Sequence, residues 1–292
     1  MRLARYRHGD DTRLGVVVGD DVVDLSAAAP DLPTDTIALL TAGPAALEAA
    51  ARAAADPDAP RRPLSDVRLL TPVARPGKVL AIALNYALHI AEGGRERPAV
   101  PTFFNKQTTS VIGPGDPIHV PRASSQVDYE GELGVVIGRR CRHVPRDRAL
   151  EVVAGYLVVN DVTVRDWQLR TPTMTIGKSF DTHGPIGPWL TTADEIADPQ
   201  ALGIRTWVNG ALLQDGSTKD MVYSCAQQIE HLSTAFTLEP GDIISTGTPA
   251  GVGIVRKPPV LLKAGDVVRV EIDGLGALEN PVIEEPVDNA LI

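Results

Sequence analysis

The chain has 292 residues, 43% hydrophobic, 22% charged and only 4% aromatic, so it has ample material for a globular core, and that core must be aliphatic. A formal charge of −9, with no run of Lys and Arg interleaved with aromatics, argues against nucleic acid or an anionic membrane as partner; a small anionic substrate held by local cations stays open. No stretch approaches a membrane span or a signal-peptide core, and Cys141 and Cys225 lie far apart without metal-ligand neighbours, which reads as reduced thiols in a cytoplasmic protein.

Residues 1–70 read as a small separate α+β unit. Short apolar strands are predicted over 14–18 and 22–25, joined by a turn at Gly19-Asp20-Asp21. Helices follow over 35–40 and 44–55, the second rich in alanine. Pro57, Pro60 and Pro63 then mark a surface linker. No chemistry is expected in this unit.

Residues 71–292 change to short apolar runs separated by Gly, Pro and Asp, the texture of a β-rich body. Strands are predicted over 79–84, 134–138, 155–160, 189–192, 204–208, 242–246 and 267–272. One longer helix interrupts them: Ser217 with Asp220 forms a capping signature. Met221, Val222, Cys225, Ile229, Leu232 and Phe236 then recur at helical spacing until Pro240-Gly241 stops the helix.

The chemistry centres on Val127-Asp128-Tyr129-Glu130-Gly131-Glu132-Leu133 and on Asp161, which ends the strand after Tyr156. Alternation puts Glu130 and Glu132 on one side of an extended chain and Leu133, Val135 and Ile137 on the other. That side continues with Gly134, Val136 and Gly138, unlike a solvated polar face. If the two strands are neighbours, three carboxylates converge, which requires a bound cation or strongly raised pKa values; a metal is the reading preferred here.

Asn85 to Gly94 reads as a short helix capped by Asn85 and ended by a glycine pair, with His89 and Glu92 three apart on one face. A carboxylate beside an imidazole raises its basicity and orients it, as a general base needs, and the polar tail after Gly93-Gly94 suits a lid. Lys178 stands alone in an otherwise uncharged stretch, suited to holding a carboxylate or an enolate oxygen. The run from Gly241 to Gly253 is a strand opening into a glycine-rich loop whose N–H groups could grip an anion, without the ending of a nucleotide P-loop.

In order, Leu84-Asn85-Tyr86 with His89 and Glu92, Thr102-Phe103-Phe104-Asn105-Lys106, Asp128 to Leu133, Asn160 to Asp166, Gly177 to Asp181 and Gly247-Thr248-Pro249 resemble the fumarylacetoacetate hydrolase superfamily from about Lys78 to Val270. The resemblance implies an α+β, β-rich fold: a mixed β-roll or sandwich-like catalytic domain behind a small N-terminal domain, assembled as a homodimer. It implies Glu130, Glu132 and Asp161 as ligands of Mg²⁺ or Mn²⁺, His89 and Glu92 as the water-activating pair on a lid, and Lys178 as the enolate-stabilising lysine. Gln168 and Thr248 match substrate-lining positions, and Arg165 with Asp166 is read as a structural ion pair. No acid lies between Ala81 and Tyr86, as in the shorter, three-carboxylate branch. The implied activity is hydrolysis of a C–C bond in a 2,4-diketo acid. Decarboxylation or keto–enol isomerisation at the same site, and a non-catalytic binding homologue, are the alternatives.

Overall fold

The computed structural model describes residues 1–287. Its centre is the strand Gly131–Ile137, all seven residues of which are buried. It pairs antiparallel with Val153–Asn160 on one side and with Ile243–Ser245 on the other. Beyond Ile243–Ser245 the sheet continues through Val79–Ala83 and Thr102–Lys106. Beyond Val153–Asn160 it continues through Gly184–Thr192, Arg2–His8, Asp11–Val18 and Asp21–Asp24. The N-terminal strands therefore extend the same sheet, with Arg2 and Leu3 registered against Thr191 and Leu190.

Burial on both faces explains why Gly131–Ile137 lacks the apolar–polar alternation of a half-exposed strand. Leu133, Val135 and Ile137 join a core with Ile204, Val268, Val270 and Ile272, contributed by a second sheet of five strands, and with Ile229 and Leu232 of the helix Cys225–Ala235. On the opposite face Val136 packs with Leu157, Val159, Leu39 and Leu40, beneath the N-terminal helices. The body is thus β-rich and layered, as expected. Gly134 makes the close packing possible, since a Cβ there would stand 2.5 Å from Leu157 Cδ1 and 2.7 Å from Val159 Cγ2.

Asp35 caps the helix Thr36–Ala42 by accepting from the N–H groups of Ile37 and Ala38, and Pro44 opens the helix Pro44–Ala55. The later helix departs from expectation. It starts at Cys225, where Ser224 and Gln227 form a reciprocal capping box; Ser217 caps only a single 3₁₀ turn, Thr218–Asp220. Both serines offer the same local chemistry, and the second is followed by residues whose apolar face meets the core.

Candidate active site

The carboxylates meet where strands end together. Asn160 is registered against Gly131, so the residues just beyond, Asp161 and Glu130, face each other, and the Asp161 N–H donates to the Glu130 carbonyl at 2.8 Å. Glu130 lies just outside its strand rather than on its face, yet it reaches the same point as Glu132. One oxygen from each of Glu130, Glu132 and Asp161 lies within 4.8 Å of the others, and all three residues are buried.

Cations crowd this cluster. Lys178 Nζ donates to Glu130 Oε2 at 2.7 Å and to Asp161 Oδ2 at 2.6 Å, while Lys106 Nζ donates to Asp161 Oδ1 at 2.6 Å. Arg165 bridges Glu130 Oε1 at 2.6 Å and Asp128 Oδ2 at 2.7 Å. Arg165 is therefore an ion-pair residue, but not with Asp166 as expected. Asp166 accepts instead from the Ser124 hydroxyl at 2.6 Å and lies 3.5 Å from Arg170.

Burial pushes the Glu130 carboxyl up, but Lys178, Arg165 and His89 outweigh it and hold its pKa down at about 2. Burial likewise opposes the Lys178 ammonium; Asp161 and Glu130 overcome it and leave Lys178 above the ordinary lysine value. Lys106, for which burial outweighs Asp161, is left below that value. Glu132 has no cation in contact among the described residues. Its Oε2 accepts from the Ser245 hydroxyl at 2.6 Å and the Gly247 N–H at 2.8 Å. Burial, then Asp161 and Glu130, push its carboxyl well above the usual range.

A divalent cation fits this donor set. The oxygens are hard, converge from three residues, and include those of Glu132, which has no cation in contact among the described residues.

The helix Ala87–Glu92 stands over the cluster, and His89 Nδ1 lies 2.8 Å from Glu92 Oε1. The other Glu92 oxygen accepts from the Gly251 N–H at 2.8 Å, which ties the helix to the glycine-rich loop. Asn85 does not cap this helix. Buried, it donates to the carbonyls of Thr246 and Tyr223 and accepts from the Tyr223 N–H, pinning the base of the helix to two other segments. The loop N–H groups, expected to grip an external anion, are taken up by internal carboxylates: Glu132 at Gly247, Glu92 at Gly251, and Asp128 at Gly253 and Ile254.

These groups share a cleft of about 610 Å³ whose walls include His89, Glu130, Glu132, Lys178, Gln168 and Thr248. Asp161 does not line it; both its oxygens are taken by lysines. Gln168 accepts from Arg165 at 3.1 Å, and the Thr248 hydroxyl donates to the Gly131 carbonyl at 2.9 Å. Asp161 and Glu92 are not among the cleft walls but are hydrogen-bonded to Lys178 and His89, which are.

Residues 78–283 match the family model described as fumarylacetoacetate (FAA) hydrolase, C-terminal, and residues 1–72 match one described as Rv2993c-like, N-terminal. The chain belongs to the fumarylacetoacetate hydrolase family. It is 43% identical over 289 residues to the mitochondrial oxaloacetate tautomerase fahd2 of Xenopus laevis, spanning 97% of this chain and 90% of that protein. Maleylpyruvate hydrolase from Sphingobium sp. SYK-6, solved with manganese(II) and pyruvate, is 37% identical with a TM-score of 0.82, over 98% of this chain and 100% of that one. The 5-carboxymethyl-2-hydroxymuconate delta-isomerase of Mycobacterium smegmatis is 35% identical with a TM-score of 0.79, at the same coverage.

The fumarylacetoacetate hydrolase family assignment leaves three site residues that sequence reasoning missed or misjudged: Lys106, Asp128 and Arg165. Lys106 was visible as a lone cation closing the apolar run Phe103-Phe104, and Asp128 as an acid two residues before Glu130. No pattern along the chain marks either as buried.

Proposed function

We propose that this chain is a metal-dependent hydrolase that cleaves a C–C bond of a 2,4-diketo acid of the acylpyruvate type, giving pyruvate and a carboxylic acid. The observation that carries the reading is that His89, hydrogen-bonded to Glu92, lines the same cleft as Glu130, Glu132 and Lys178. Hydrolysis needs a base for water. Keto–enol chemistry at the same carboxylates does not.

Glu130, Glu132 and Asp161 would hold Mg²⁺ or Mn²⁺, which when bound supplies a Lewis acid for the α-keto acid end of the substrate. Glu92 fixes the Nδ1 side of His89, leaving Nε2 to take a proton from water as the water attacks the distal carbonyl. The bond between that carbonyl carbon and the pyruvate methylene breaks, and its electron pair moves onto the pyruvate fragment as an enolate. The Lys178 ammonium donates to the developing enolate oxygen, a contribution commonly worth a few kcal/mol. Gln168 and Thr248 orient the substrate from the cleft walls. The enolate then takes a proton at carbon to give pyruvate.

A second reading is favoured by the relative named oxaloacetate tautomerase. Tautomerisation, or decarboxylation of an oxaloacetate-like acid, uses the same enolate stabilisation without hydrolytic water. Product analysis separates them. Acetylpyruvate giving acetate and pyruvate with Mn²⁺ supports hydrolysis, whereas enol–keto conversion or CO₂ release from oxaloacetate alone supports the second reading. His89→Ala should reduce hydrolysis far more than decarboxylation; equal loss would remove His89 as the hydrolytic base. Residues 71–292 are read as the catalytic domain and 1–70 as an accessory one, in a cytoplasmic homodimer whose mass light scattering would check.

A further inference from the structure

The flap that carries His89, residues 85–98, has little burial to hold its centre. Within the helix Ala87–Glu92 the buried residue is Ile90, Leu88 is 68% exposed, and residues 93–97 are exposed throughout. A helix of this length with one apolar anchor is not fixed by packing, so its place over the cleft depends on polar contacts at the two feet of the flap.

Both feet meet the same residue. Ahead of the helix, the Asn85 side chain accepts from the Tyr223 N–H at 2.8 Å and donates to the Tyr223 carbonyl at 3.0 Å. Behind it, the Tyr223 hydroxyl donates to the Pro98 carbonyl at 2.6 Å, and the Arg97 guanidinium carbon lies 5.9 Å from the centroid of the Tyr223 ring. Tyr223 is itself anchored in the body. The Gln228 amide donates to its carbonyl at 2.9 Å, and Ser224, next in the chain, caps the helix Cys225–Ala235, whose Cys225, Ile229 and Leu232 are buried in the core. The two contacts differ in kind. The bonds to Asn85 use the Tyr223 backbone, which any residue but proline supplies, whereas the bond to Pro98 needs a hydroxyl at the far edge of an aromatic ring.

We propose that Tyr223 is a positioning residue for His89: its hydroxyl fixes the far end of the flap, so that the imidazole is presented to the cleft in one place. The inference rests on the hydrolase reading above, in which His89 takes a proton from water. A base that must serve a water aligned on a carbonyl carbon tolerates little displacement. With the Pro98 end released, the helix keeps only Asn85 at its base and the Glu92 bond to Gly251, and the segment after Glu92 is free to swing.

Tyr223→Phe keeps the ring beside Arg97 and the backbone bonds to Asn85, and removes the hydroxyl alone. In the full chain, amide exchange over residues 87–97 should accelerate about fivefold, while the helix Cys225–Ala235 stays as protected as before. Tyr223→Leu, which removes the ring as well, should accelerate it further. With Mn²⁺, the ratio of acetylpyruvate hydrolysis to enol–keto conversion of oxaloacetate, which needs no hydrolytic base, should fall about threefold or more in Tyr223→Phe, through kcat rather than KM. Unchanged exchange overturns the clasp. Faster exchange with an unchanged ratio overturns the positioning of His89. A wild-type chain that converts oxaloacetate without hydrolysing acetylpyruvate rejects the hydrolase reading, and faster exchange in Tyr223→Phe then supports the clasp alone.

Discussion

A lysine ammonium left only 3% exposed, as Lys106 is, loses its hydration and must recover that energy from acceptors. It does so from Asp161 Oδ1 at 2.6 Å and from the carbonyls of Val162 and Lys178. Lys106→Met would leave those acceptors buried without their donor. The expected cost is about 3–5 kcal/mol, the usual scale for breaking a buried ion pair, read as a lower urea midpoint; an unchanged midpoint would deny Lys106 this role. His183 sets a pH dependence. Burial, foremost, pushes its imidazole down to about 3, helped by Lys106 and opposed by its hydrogen bond to the His119 carbonyl. The folded ring therefore stays neutral while the unfolded ring takes up a proton below its ordinary 6.5. Its contribution is complete above pH 6.5 and is lost as pH falls from there toward about 3, at about 1.4 kcal/mol per pH unit. Between pH 7.5 and 5.0, His183→Gln should lose about 2 kcal/mol less than the wild type in urea titrations.

At the scale of elements, the helix Ala87–Glu92 spans six residues, too short to persist on its own. It is held at its base by Asn85 and over the cleft by the Glu92 bond to Gly251. Glu92→Ala removes both that tether and the partner of His89. Amide exchange over residues 87–92 should accelerate and hydrolytic kcat should fall, whereas unaltered exchange would deny the tether. The longer helix Cys225–Ala235 depends on its capping box. Ser224→Ala should cost about 1 kcal/mol in denaturation, and Ser217→Ala, which touches only the preceding turn, distinctly less.

Across the whole molecule, the three carboxylates join the ends of two strands, Gly131–Ile137 and Val153–Asn160, that lie side by side in the sheet. A cation held by all three would bind the folded chain and not the unfolded one, so its binding free energy adds to stability. Saturating Mn²⁺ should raise Tm by about 5 °C, and Glu132→Gln should abolish most of that shift. A Tm that ignores Mn²⁺ would remove the metal from the site.

The sequence alone was enough to bring forward six candidates: spacing along an extended chain or a helix paired Glu130 with Glu132 and His89 with Glu92, Asp161 ended a strand, and Lys178 stood alone in an uncharged stretch. It also showed that the body is β-rich and that Asp35 and Pro44 begin helices, since capping and turn chemistry act within a few residues. Tertiary structure decided the rest: that Arg165 serves Asp128 and Glu130, that Asn85 pins three segments instead of capping one, and that the loop amides serve the chain's own acids. Several of those partners lie more than a hundred residues away. Whether a charge is buried, and which opposite charge meets it, depends on how strands are ordered in the sheet, and local spacing along the chain does not encode that order.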